Sequence, residues 1–127
     1  MQKQIVYSDN APKPIGPYSH AVISGGFLFA SGQIAIDPES GNLVVDNIES
    51  ETKQVMKNIG VVLTAANLSF KNIVKTSIFL KNMDDFAKVN EVYATYFESD
   101  FPARETLQVA KLPKDVNVEI SITATMQ

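Results

Sequence analysis

Near the end of the chain, apolar and polar residues alternate without a break. Val116, Val118, Ile120, Ile122 and Ala124 fall on one parity, and Asn117, Glu119, Ser121, Thr123 and Thr125 on the other. Strand side chains point to opposite faces with a period of two, so this stretch predicts a strand with one apolar and one polar face. Earlier, the runs His20 to Ser24 and Phe27 to Ile34 flank Gly25-Gly26, which predicts a hairpin whose two-residue turn takes positive φ. Phe27, Phe29, Ser31 and Gln33 are then expected on one face of the second run, with Leu28, Ala30, Gly32 and Ile34 on the other. The β-branched run Ile73 to Leu80 predicts a buried strand.

The period changes between these runs. From about Asn47 to Ala66, apolar residues recur at Ile48, Val55, Met56, Ile59, Leu63 and Ala66, the spacing of one helix face. Asp46 or Asn47 suits its cap, and Glu49 and Glu51 suit the positive end of its dipole. A second helix is expected from Asp84 or Asp85, with Phe86, Val89, Tyr93, Tyr96 and Phe97 inward and an end before Pro102. The proline-rich Ala11 to Pro17 reads as a rigid extended loop that delivers Tyr18 to the first strand, and Asp37 to Asn42 as a turn cluster. The order strand, strand, helix, strand, helix, strand, strand predicts one α+β domain over 1–127, a β-sheet with two helices on one face.

Composition narrows the chemistry. The 127 residues are 45% apolar and contain no cysteine and one histidine, His20, so disulfides, thiolate chemistry and multi-histidine zinc sites are excluded. No run reaches the ~18 to 20 apolar residues of a membrane span, and the opening residues lack the layout of a secretion signal. A soluble, cytoplasmic protein without membrane partners is expected. A net charge of −3 and scattered lysines argue against nucleic acid as a partner, since that binding draws on clustered Lys and Arg.

Arg104 is the one arginine beside ten lysines. It follows Phe101-Pro102-Ala103, where a planar fork of donors suits a carboxylate or phosphate better than an ammonium does. Glu119 is the one ionisable group on the polar parity of the last strand. A hairpin of the strands around Thr106 to Ala110 and Val116 to Thr125 brings the two within a few strand positions, with the shared face left to register. The residues alone leave two readings for each: a ligand site, or an ordinary surface charge. His20 beside Ala21-Val22-Ile23 reads as structural, Ser31 lacks the surroundings of a nucleophile elbow, and Asp84-Asp85 reads as a helix cap. Tyr18 suits either the core or a ligand.

Taken in order, Gly16-Pro17-Tyr18-Ser19-His20-Ala21, Ser31-Gly32-Gln33-Ile34, Val74-Lys75-Thr76, Phe86 with Val89-Asn90-Glu91-Val92-Tyr93, Pro102-Ala103-Arg104, Leu112-Pro113-Lys114-Asp115 and Val118-Glu119-Ile120 resemble the RidA (YjgF) family along essentially the whole chain. The resemblance implies a chorismate-mutase-like α+β subunit in a homotrimer with clefts between subunits. It also implies a cofactor-free deaminase that hydrolyses 2-aminoacrylate, 2-iminobutanoate and 2-iminopropanoate to 2-oxoacids and ammonia. On that implication Arg104 clamps the substrate carboxylate, Glu119 positions water and moves its proton, Tyr18 lines the cleft, Ser31 and Gly32 supply polar and backbone contacts, and Asn90 supports the cleft. The chain departs from the family pattern at Glu105, which puts a negative charge beside the proposed clamp, and at Ser121, where many members carry a second acid. An endoribonuclease or translation inhibitor, and a non-catalytic small-molecule-binding trimer, are the alternatives.

Overall fold

The computed structural model describes residues 2–127, which form six strands and two α-helices. In chain order these are β1 (Gln4–Val6), β2 (Ala21–Ser24), β3 (Phe27–Gln33), α1 (Ile48–Ala65), β4 (Ile73–Leu80), α2 (Phe86–Ala94), β5 (Ala103–Gln108) and β6 (Val118–Thr125). The strands make one mixed sheet in the order β1-β2-β3-β6-β4-β5, with β4 and β5 parallel and every other pair antiparallel. The expected α+β arrangement is present, with the short β1 as an addition that three residues of pattern do not announce.

The alternation of β6 explains its central place. Val118, Ile120, Ile122 and Ala124 are buried, on the face covered by the helices. Burying an Ile or Val in this way stabilises by about 1.5–3 kcal/mol. Asn47 accepts a hydrogen bond from the Ser50 backbone at 2.8 Å and so caps α1. Val55, Met56, Ile59, Val62 and Leu63 of α1 enter the core. Glu51 lies in the first turn of the helix, as its charge suits, and is fully buried. α2 joins the sheet through Tyr93, whose hydroxyl lies 2.9 Å from the Thr76 hydroxyl. Asp85 stands at the N-cap position of α2, as expected, but its side chain makes no cap bond; a short 3-10 turn over Met83–Asp85 comes first, capped by Asn82, whose side chain accepts from the Asp84 backbone at 2.9 Å. Among the described residues, no helix is long and apolar enough to cross a membrane.

Two departures matter for the site. Gly25 and Gly26, at φ 62° and 83°, close the predicted hairpin, but β3 does not keep its alternation to the end. Ala30 pairs with Ile122 and Gln33 with Ile120, so β3 carries one residue more than its partner over that interval. This bulge turns the following side chains over, and Gln33 is buried with Leu28 rather than sharing a face with Phe27 and Phe29. The second departure is that β5 and β6 form no hairpin. With α2 as the crossover that parallel pairing requires, β5 lies along the outer edge of β4, and β6 is inserted between β3 and β4.

Candidate functional site

Glu119 lies at the floor of a cavity of about 550 Å³, walled by the proline-rich loop and Tyr18, by the β3 bulge, and by Pro113 and Lys114 before β6. The bulge brings Gly32 directly beneath the carboxyl group: a Cβ at position 32 would stand 2.8 Å from Glu119 Cδ and 3.1 Å from Cγ. Only a glycine leaves room for the carboxyl group in this position. Burial pushes the Glu119 carboxyl above the ordinary carboxylate range, because a low-dielectric surrounding penalises the charged form.

The other groups in this cavity are fixed by local bonds. The Ser31 hydroxyl donates to the Ser19 carbonyl at 2.6 Å, which leaves its oxygen as an acceptor. The Tyr18 hydroxyl accepts from the Ile15 backbone at 3.3 Å, and its ring is half exposed. His20 is buried and stacked on Tyr7 with ring centres 5.1 Å apart. Its Nδ1 accepts from the Ser8 backbone at 3.2 Å and its Nε2 lies 2.8 Å from the Pro12 carbonyl, a pair of partners that requires the proton on Nε2. Both nitrogens are used in anchoring the loop, in line with the structural reading of this histidine. Lys13 and Lys114 also line the cavity and were not singled out by the sequence. Lys114 takes φ 55°, a left-handed conformation that costs a non-glycine residue energy and turns the chain into β6.

Arg104 belongs to a different surface. It pairs with Thr76 across the parallel ladder, and so projects from the helix-covered side of the sheet. There its Nη1 donates to Asn90 Oδ1 at 2.6 Å, and its Cζ lies 5.3 Å from the Tyr93 ring centre and 5.4 Å from that of Phe86. The aromatic faces attract the cation and hold its plane. Arg104, Asn90, Tyr93, Phe101 and Pro102 line a shallower hollow of about 420 Å³. Glu105, one residue on, pairs with Ser77 and points the opposite way. It accepts from the Ser77 hydroxyl at 2.9 Å and lies 3.7 Å from Lys75 Nζ, so strand alternation keeps it off the guanidinium.

The structure therefore brings Tyr18, Ser31, Gly32 and Glu119 together in one place and Arg104 and Asn90 in another. Glu119 pairs with Phe79 and Arg104 with Thr76, with β4 between their strands and the two side chains on opposite faces. The close approach expected of a β5-β6 hairpin does not occur within one chain. Among the described residues, no group of three His, Asp or Glu side chains is arranged to hold a metal ion.

Residues 8–126 match the family model described as Endoribonuclease L-PSP. A RutC family protein of Pyrococcus horikoshii is 50% identical over 122 residues, covering 96% of this chain and 97% of its own. The 2-iminobutanoate/2-iminopropanoate deaminase of Homo sapiens is 46% identical over 122 residues, covering 96% of this chain and 89% of its own. Among solved structures, E. coli TdcF with bound serine superposes with a TM-score of 0.92 at 36% identity, covering 96% of this chain and 98% of its own.

Proposed function

The chain belongs to the endoribonuclease L-PSP family, the RidA/YjgF family, and on that premise we propose that it hydrolyses the C=N bond of 2-iminoacids to give 2-oxoacids and ammonia. The substrates this reading names are 2-iminopropanoate and 2-iminobutanoate, together with 2-aminoacrylate, which becomes 2-iminopropanoate when its terminal carbon takes a proton and its nitrogen gives one up. The observation that carries the reading is the Glu119 carboxyl group, raised by burial and seated over Gly32 in a cavity that also holds Tyr18 and Ser31. A carboxylate of raised basicity takes a proton from water more readily than an ordinary one and returns it to a leaving nitrogen.

The reaction then follows from the groups at hand. Arg104 fixes the substrate carboxylate through two parallel N–H···O bonds, with its plane held by Asn90, Tyr93 and Phe86. Water adds to the C=N carbon as Glu119 accepts its proton, and the carbon becomes tetrahedral. Glu119 passes that proton to the nitrogen, and as the C–N bond breaks the hydroxyl becomes the 2-oxo group, its proton passing by way of Glu119 to the nitrogen, which departs as ammonia. Tyr18, Ser31 and the Gly32 backbone orient water and substrate, and holding the reactants in line supplies much of the acceleration. No step requires a cofactor. Because Arg104 and Glu119 face opposite ways in one chain, the reading joins Arg104 of one subunit to Glu119 of its neighbour in a homotrimer.

The test is direct: a freshly generated 2-iminobutanoate is mixed with the purified protein and 2-oxobutanoate release is followed. A rate well above the uncatalysed one is expected. An unchanged rate overturns the catalytic reading and leaves a small-molecule-binding protein.

A further inference from the structure

Three polar side chains of α1 are fully buried: Thr52 bonds back to the Ile48 carbonyl of its own helix, whereas Glu51 and Asn58 reach outside it and stand seven residues apart, two turns along one helix face. Glu51 Oε2 accepts from the Asn117 backbone at 2.7 Å and from the Val118 backbone at 3.2 Å, and its Oε1 accepts from Asn117 Nδ2 at 2.7 Å. Asn58 Nδ2 donates to the carbonyls of Ile34 at 3.1 Å and Ile36 at 2.9 Å, while its Oδ1 accepts from Gln54 at 2.9 Å. Taking a carboxylate out of water costs several kcal/mol unless its lone pairs are met, so the bonds to Glu51 must be kept in close geometry. What they hold is specific. Asn117 and Val118 are the residues immediately before Glu119 and just after the Pro113-Lys114 wall, and Ile34 and Ile36 form the wall that follows Gly32.

We propose that Glu51 and Asn58 are positioning residues: they tie the two walls of the Glu119 cavity to one rigid helix, and so fix the carboxyl group over Gly32. This inference rests on the deaminase reading for its kinetic arm and on geometry alone for its structural arm. Other backbone bonds reach these walls, from Lys81 to the Asn117 carbonyl at 2.9 Å and from Val44 to the Ala35 carbonyl at 2.8 Å, but the β3 bulge leaves the ladder between β3 and β6 incomplete between Ala30 and Gln33. The helix bonds to both sides through side chains, beyond the pairing of β3 with β6. A displacement of about 1 Å at a reacting group costs on the order of a hundredfold in rate, so slack in either tie reaches the chemistry without any contact between α1 and substrate.

The experiment compares Glu51→Met, Glu51→Gln, Asn58→Leu and, as a control, Met56→Ala, which opens the core on the same helix and removes no hydrogen bond to either wall. Glu51→Met keeps the volume but strands two backbone N–H groups, and kcat is expected to fall about tenfold or more with KM changed little. Asn58→Leu is expected to act in the same direction. Glu51→Gln is the conservative rescue: one amide oxygen serves the backbone donors, and Asn117 turns its own amide to accept from the new NH₂, so most of the turnover returns. Met56→Ala lowers Tm at least as far as Glu51→Met and leaves kcat near wild type. Equal kcat losses in Met56→Ala and Glu51→Met at temperatures where both are folded overturn the proposal, because stability alone then accounts for them. The structural arm is a crystal structure of Glu51→Met, or of Asn58→Leu where that variant alone folds. A Glu119 carboxyl group still seated over Gly32 overturns the inference, and a displaced one supports it. This arm reads the tie even in a protein that hydrolyses no imine, so a failure of the deaminase reading is told apart from a failure of this one.

Discussion

The cavity around Glu119 is made of loops, a bulge and hydrocarbon, whereas Arg104 rests on the aromatic side chains of a single helix. Each setting suits its charge. Partial burial makes a carboxylate more basic, and a carboxylate that must move a proton gains from that. Aromatic faces and the Asn90 amide hold a guanidinium flat without neutralising it, which suits a group that must stay charged and grip an anion. The difference teaches that the two groups the proposed reaction needs lie apart in one chain: on that reading the cavity supplies the base and the hollow the carboxylate clamp.

The severest way to break this comparison is to silence one half at a time. Glu119→Gln is expected to reduce kcat by about a thousandfold while 2-oxoacid affinity stays within a few fold, as titration calorimetry can measure. An equal loss of binding and turnover would make Glu119 a ligand contact and not a proton carrier. Arg104→Lys keeps the charge but loses the fork, and kcat/KM is expected to fall about a hundredfold, from the loss of roughly 2–3 kcal/mol of charge-assisted bonding. Mixing the two inactive variants sharpens the point. When subunits are exchanged at random in a ring where each site takes Arg104 from one copy and Glu119 from the next, about a quarter of the sites regain both groups. Recovery of no activity after exchange would place both groups in one subunit's site, against the opposite faces they occupy here.

Gly32→Ala tests the seating of the carboxyl group and is a milder change. The added methyl meets Glu119 Cδ at 2.8 Å, the flexible side chain gives way, and kcat is expected to fall about tenfold with Arg104-dependent binding preserved. The smallest effect concerns pH. The folded protein holds the Glu119 proton at pH values where the unfolded chain has released it. The stabilisation from this group is therefore fully present below the ordinary carboxylate range and is lost as pH rises through the raised value. Glu119→Gln is accordingly expected to raise Tm at pH 7 by about a degree or two, with a flatter pH dependence than wild type in calorimetry. The acid limb of wild-type kcat/KM should lie above the usual carboxylate range, since the base must be ionised to accept the proton.

Much of this molecule is legible from its sequence because its elements are locally consistent. The period of two in β6, the glycine pair of the hairpin, the helical spacing and Asn47 cap of α1, and the β-branched run of β4 each state their own conformation in side-chain chemistry. Arg104 and Glu119 stand out in the sequence by residue type and parity. The three-residue β1 is too short to carry a pattern. The aspartate pair marks the start of α2 but does not announce the 3-10 turn before it, which Asn82 caps.

What the tertiary structure alone decided is where the strands lie relative to one another. A chain can follow β5 with β6 and still send β6 to the centre of the sheet, because sheet order is set by which faces the helices cover and not by nearness in sequence. The same holds for the bulge at Ser31-Gly32, for the inward turn of Glu51 and for the separation of Arg104 from Glu119. Periodicity fixes which side of its own strand a residue takes, whereas distances between strands depend on packing that no local window contains.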